Sequence, residues 1–70
     1  MKIQSVKKII NHIAENEINN VTVKTSSYIY NLHNNEDSLI DVDEEDGLLS
    51  YTDSKRTQWI DIESIESITI

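Results

Sequence analysis

Apolar residues change period along the chain, and each change marks an element. Between positions 4 and 16 they fall at Val6, Ile9, Ile10 and Ile13. That i, i+3, i+4, i+7 stripe predicts a helix with one oily side. Ser5 is the expected cap at its start. Glu15 and Glu17 lie near its end, where the helix dipole slightly disfavours acids. Asn16, Asn19 and Asn20 supply turn chemistry beyond it. An isolated helix this short is marginal in water, so its isoleucine stripe must dock on something.

From Val21 the period drops to two. Val21 and Val23 hold one parity, while Tyr28, Tyr30 and Leu32 hold the other. A parity change inside one long strand (21–32) calls for a bulge or bend, expected near Ser26-Ser27. A loop from His33 to Asp37 follows, then strands at 38–44 and 48–53. Asp46-Gly47 between them predicts a two-residue type I′ turn, because Gly takes positive φ without strain. Closing there sets Glu45 opposite Leu48, Asp43 opposite Ser50 and Asp41 opposite Thr52. On the other face Val42 meets Tyr51 and Glu44 meets Leu49. One side becomes a carboxylate ladder (Asp41, Asp43, Glu45) and the other is mostly apolar (Ile40, Val42, Leu49, Tyr51). Asp53-Ser54-Lys55-Arg56 predicts a second turn, and Thr57–Ile62 a further strand. With Ile60 and Ile62 facing inward, Trp59 and Asp61 point outward. The spacing then lengthens to three at Ile65 and Ile68, as one turn of 3₁₀ helix would give. A short last strand is expected at 67–70.

The predicted class is α+β: an N-terminal helix, then a five-stranded, strongly bent antiparallel sheet or small barrel, with a 3₁₀ turn before the last strand. Carried by residues 4–16, by Asp46-Gly47 and by Ile60 through Ile70, this order resembles the small SH3-like barrels. A helix ahead of five strands is similar to the Sm-like variant. In general look the chain is also similar to short bacterial or phage proteins. Sm-like proteins bind RNA through basic and aromatic residues around a ring. This chain lacks that charge and lacks the glycine usual in the bent second strand. The resemblance therefore implies a fold and not the RNA-binding role.

Composition narrows the picture. The chain has 70 residues, read as one domain (1–70), and a chain so short buries only about 60% of the surface its unfolded form exposes. It has no cysteine, so neither a disulfide nor a Cys-based zinc site is available. Twelve isoleucines, β-branched and readily buried, are what fills a small core instead. Proline is absent and glycine occurs once, which leaves no flexible linker. No signal peptide is visible, since Lys2, Lys7 and Lys8 interrupt the N-terminus. No run approaches the roughly 20 apolar residues of a membrane span. A cytoplasmic protein is expected.

Charge is unevenly placed. The net charge is -7. Residues 1–24 hold four lysines and two acids, whereas residues 25–70 hold Lys55, Arg56 and 11 acids. No Lys or Arg occurs from Thr25 to Ser54. Such a surface repels phosphate backbones, so no direct nucleic-acid binding is expected. It attracts basic partners, mainly by raising the encounter rate. Acidic surfaces also serve solubility alone.

Candidate chemistry is sparse. Asp41-Val-Asp43-Glu-Glu-Asp46-Gly47 superficially suggests a calcium loop. Counted from Asp41, however, Gly falls at position 7 and Thr52 at position 12, against the Gly at 6 and Glu at 12 of an EF-hand. His33 with Glu36 and Asp37 matches no closed zinc spacing. His12 sits beside the isoleucine stripe as a boundary residue. No serine lies in a Gly-x-Ser-x-Gly elbow, and one glycine cannot build a phosphate-cradling loop. No catalytic residue, cofactor or metal is expected, and the chain is not read as an enzyme.

The remaining lead is an interaction surface. Trp59 pointing outward beside acids is a plausible anchor, since Trp is enriched at binding hot spots. Its bland alternative is a ring lying over the helix or over one end of the sheet. The expected partner-binding set is Asp41, Asp43, Glu45, Asp46, Trp59 and Asp61, facing a protein with a basic surface. In one variant the carboxylates stand in for phosphates and inhibit a nucleic-acid-binding protein, because alternate strand residues lie ~6.6–7 Å apart. In another the chain assembles with itself through the sheet edges 57–62 or 67–70.

Overall fold

A computed structural model describes all residues, 1–70. The helix α1 spans Ile3–Glu15 and buries Val6 and Ile13, with Ile3, Ile9 and Ile10 half-buried beside them. Its start corrects the expected cap. Lys2 occupies the N-cap position with no side-chain hydrogen bond, and Ser5 lies inside the first turn. Starting earlier brings Ile3 onto the core, and that burial outweighs one capping hydroxyl. The end is a left-handed reversal in which Glu17, not an asparagine, takes φ 51. The Ile18 amide reaches back to the Ile13 carbonyl at 3.1 Å, the 6→1 bond of a Schellman closure. Ile18 packs against the core, which supports a non-glycine residue at the strained position. Asn16 Nδ2 donates to the His12 carbonyl at 2.9 Å.

Six strands follow, not five: β1 (Asn20–Thr25), β2 (Ile29–His33), β3 (Leu39–Asp43), β4 (Leu48–Thr52), β5 (Thr57–Asp61) and β6 (Ile65–Thr69). They form two three-stranded antiparallel sheets, ordered β2-β1-β6 and β3-β4-β5. The arrangement is neither a single five-stranded sheet nor a closed barrel. A 3₁₀ turn, η1 (Ile62–Ser64), precedes β6 as expected from the isoleucine spacing. Ile62 belongs to that turn, so β5 ends at Asp61, and the last strand is Ile65–Thr69 rather than 67–70.

The parity change at 26–27 is a reversal and not a bend. β1 and β2 are the two arms of a hairpin, with Val21 opposite Leu32 and Val23 opposite Tyr30. Odd residues pair with even ones in this register, so both parities face one core. No glycine or asparagine makes the turn. Thr25 does: its amide donates to the Tyr28 carbonyl at 2.8 Å. Its Oγ1 accepts from the Tyr28 and Ser27 amides at 3.0 and 3.3 Å. Thr25 is the one buried polar residue.

The acidic hairpin also closes differently. Asp43 faces Leu48, Val42 faces Leu49, Asp41 faces Ser50 and Ile40 faces Tyr51. Residues 44–47 form a four-residue loop, and Glu45 leaves the ladder. Gly47 takes φ 67, while the Asp43 carboxylate accepts from the Asp46 amide at 3.2 Å. The register thus moves by two residues relative to a two-residue turn. An even shift keeps every side chain on its own face.

Eleven buried apolar residues from α1, both sheets and η1 make one core: Val6, Ile13, Val21, Val23, Leu32, Ile40, Leu49, Tyr51, Ile60, Ile62 and Ile65. The helix lies against β3 and η1. Tyr51 ties the sheets together. From β4 its hydroxyl accepts from the His33 amide at 3.3 Å and donates to the His33 carbonyl at 3.4 Å.

Candidate functional site

The outer face of β3-β4-β5 is assembled in cross-strand rows. Asp43, Leu48 and Asp61 form one row, and Asp41, Ser50 and Trp59 the next. Adjacent strands lie about 4.8 Å apart, so Asp43 and Asp61 flank Leu48 across roughly 10 Å. Asp41 and Asp43 stand about 7 Å apart along β3. Trp59 is 58% exposed, and Asp61 is exposed beside it on the same strand face. Asp41, Asp43, Glu44, Ser50 and Trp59, with Lys7 of α1, line one shallow concavity of about 580 Å³.

Of the six residues expected at a partner surface, the strands bring together Asp41, Asp43, Trp59 and Asp61. Glu45 and Asp46 sit in the exposed loop at the end of the same hairpin and extend the face rather than belonging to it. Opposing charge comes from Lys7, which is ion-paired to Glu44. A pair this exposed contributes at most about 1 kcal/mol.

Three of the carboxylates also have local duties that sequence reasoning missed. Asp41 accepts from the Val42 amide at 2.9 Å and so occupies a main-chain donor of the edge strand. Asp43 shapes the 44–47 loop. Asp61 caps η1, its side chain accepting from the Glu63 amide at 3.2 Å. Each bond uses one oxygen and fixes the carboxylate's direction. The other lone pairs face solvent. The cue lies in the local pattern, an Asp ahead of a turn or a 3₁₀ segment.

The strongest electrostatic perturbation lies elsewhere. Hydrogen bonds from the Lys55 and Arg56 amides, at 2.8 and 3.0 Å, hold the Asp53 carboxyl below its usual value of 3.8. The two cationic side chains add a smaller effect in the same direction. This is turn chemistry, with the carboxylate closing Asp53–Arg56.

The histidines are scattered. His12 Nδ1 lies 3.1 Å from Asn16 Nδ2, and His33 Nδ1 lies 3.1 Å from Asn20 Oδ1. His33, Glu36 and Asp37 do not converge, and no group of three or more His, Asp or Glu side chains is gathered as for a metal ion. No helix is long and apolar enough to cross a membrane. Every buried side-chain nitrogen and oxygen has a hydrogen-bond partner. Comparison with protein-family models, with curated proteins and with solved structures found no match.

Proposed function

We propose that the chain is a small, non-enzymatic interaction module whose acidic β3-β4-β5 face docks on a basic protein surface. The observation that carries this is the shared outer face of Asp41, Asp43, Asp61 and Trp59. There a large exposed ring sits among oriented carboxylates. The ring supplies desolvated contact area and the carboxylates supply steering and register. The expected setting is cytoplasmic. The strand orders β2-β1-β6 and β3-β4-β5, with η1 at one corner, support an SH3-like relationship without barrel closure.

The spacing of Asp41 and Asp43 along β3 favours one special case, in which the partner is a nucleic-acid-binding protein and the carboxylates replace phosphates. DNA or RNA would then compete for the same partner.

The test compares partner capture by the native chain and by the Asp41→Asn, Asp43→Asn, Asp61→Asn variant. Capture by the native chain is expected to fail at about 0.5 M salt, where the screening length is only a few ångström. The variant should capture little at any salt. Equal capture by the two chains would refute the assignment.

A further inference from the structure

A second surface, along the outer edge of β2, has the features of a peptide-binding edge. Tyr28, Ile29, Tyr30, Asn31, Leu32 and His33 all line one groove of about 350 Å³. Successive strand residues point to opposite faces. Six in a row can therefore line one groove only along the edge of their backbone. β2 is the outer strand of its sheet, and Tyr51, Asp53, Arg56 and Gln58 line the rest of the groove, the Asp53 carboxylate being engaged by the Lys55 and Arg56 amides.

The ladder shows which main-chain groups lie open there. The Thr25 amide bonds to the Tyr28 carbonyl at 2.8 Å, and the Asn34 amide to the Asn19 carbonyl at 2.7 Å. In an antiparallel pair, hydrogen-bonded and non-hydrogen-bonded pairs alternate. Tyr30 and Leu32 therefore bond inward to β1, while Ile29, Asn31 and His33 turn their amides and carbonyls outward. His33 is already satisfied, because Tyr51 Oη takes both its groups at 3.3 and 3.4 Å and Ser38 Oγ donates to its carbonyl. Ile29 and Asn31 have no intramolecular partner for theirs, and both residues are exposed. The edge is thus sealed at one end and open for two residues.

The surroundings indicate what fits. Tyr28 and Tyr30 stack edge to face, with ring centres 4.7 Å apart. Tyr28, Tyr30, Arg56, Gln58 and Trp59 line one continuous depression. With the Gln58 amide oxygen turned toward Arg56, it accepts from Nη2 and Nε at 2.8 and 3.0 Å and so holds the guanidinium in place. Lys55 and Arg56 are the only Lys or Arg side chains after Lys24. Neither belongs to an ion pair, since the two pairs present are Lys7–Glu44 and Lys24–Glu66. Lys2 and Lys8 on the helical side are also unpaired, but within residues 25–70 Lys55 and Arg56 are the only Lys or Arg set against 11 acids.

We propose that the open β2 edge binds an extended segment of another protein as an added strand. The segment pairs its backbone with Ile29 and Asn31, lays an apolar side chain on Tyr28 and Tyr30, and points one carboxylate at Arg56. Main-chain bonds provide the affinity and side-chain pockets the selectivity. The rest of the segment carries no net negative charge, because the chain as a whole repels it.

The probes are the capped peptide Ac-Ser-Val-Glu-Val-Ser-NH2, its Glu→Gln form and a form with N-methylated valines, each at millimolar concentration. Hydrogen exchange and amide shifts are read by NMR. The Glu peptide should slow exchange at the Ile29 and Asn31 amides and shift the Tyr28 and Tyr30 signals. N-methylation should abolish the effect. Arg56→Gln should weaken the Glu peptide by about two- to fivefold and leave the Gln peptide unchanged, as expected for a single exposed charge pair. No protection at Ile29 and Asn31, or equal binding of the N-methylated peptide, overturns the proposal. Concentration-dependent dimerisation with those amides protected in the free protein also overturns it, by assigning the edge to a second copy.

Discussion

The outer face of β3-β4-β5 carries Asp41, Asp43 and Asp61 around Trp59. The outer face of β2-β1-β6 carries Thr22, Asn31, Thr69 and the Lys24–Glu66 pair. Both sheets place alternate residues on one shared core. Alternation therefore dictates which side of each strand is buried and leaves the charge of the other side free. A nearly neutral outer face, polar apart from the exposed Ile29 opposite Lys24, serves β2-β1-β6 well enough in water. Acid is concentrated on β3-β4-β5, a difference that alternation does not set and that the proposed docking role would use.

The largest expected effect tests whether the two sheets share one core. Leu49 is fully buried, and Leu49→Ala should cost about 2–5 kcal/mol. That is a large share of the roughly 4–10 kcal/mol expected for a domain of this size. Urea unfolding followed by NMR should show signals from both sheets vanishing in one transition. Separate transitions would mean separate cores, and the comparison would lose its premise.

Next in size is a substitution confined to the acidic sheet. Gly47 has φ 67 and nothing within 4 Å of an added Cβ, so Gly47→Ala meets no clash. It should still cost about 1–2 kcal/mol through the left-handed backbone alone. Thermal melting checks the size. Amide shifts should move in β3 and β4 and stay unchanged in β1 and β2.

Tyr51→Phe addresses the link between the sheets. It removes the hydroxyl shared with the His33 main chain and should cost about 0.5–1.5 kcal/mol. The core is otherwise kept, because the ring remains buried. Hydrogen exchange at the His33 amide should rise more than at any core amide of β4.

The smallest effect is local and depends on pH. The Asp53 carboxyl is held below 3.8 in the folded chain by the Lys55 and Arg56 amides. A depressed folded value stabilises the turn fully above the unfolded value and loses that contribution as pH falls through the folded one. Amide shifts of Lys55 and Arg56 should therefore be flat above about pH 5 and move only below the usual carboxylate range. Movement centred near neutral pH would contradict the assignment.

Much of this was legible in the sequence, for identifiable reasons. The helix followed from Val6, Ile9, Ile10 and Ile13, and the 3₁₀ turn from the spacing of Ile62, Ile65 and Ile68. The faces of Asp41, Val42, Trp59 and Ile60 followed from alternation. They survived a misjudged turn length because the register error was even. Glu45 did not survive it, since the loop absorbed the residue. The β1–β2 reversal was hidden because its turn carries no glycine or asparagine and depends on the buried Thr25 hydroxyl. Without that reversal, Tyr28 and Tyr30 could not be placed opposite Arg56. The capping duty of Asp61 was hidden because it emerges only once β5 stops one residue short of Ile62.

The most direct measurement is a titration of isotope-labelled protein with a decalysine peptide at about 0.05 M salt, where exposed charges interact over more than 10 Å. Amide shifts should concentrate at Asp41, Asp43, Ser50, Trp59 and Asp61, with the Trp59 indole signal moving alongside them. Shifts spread equally over Glu15, Glu17, Glu36, Asp37 and Glu66 would show that the acids act only as bulk charge, and the β3-β4-β5 face would lose its claim to be a binding site.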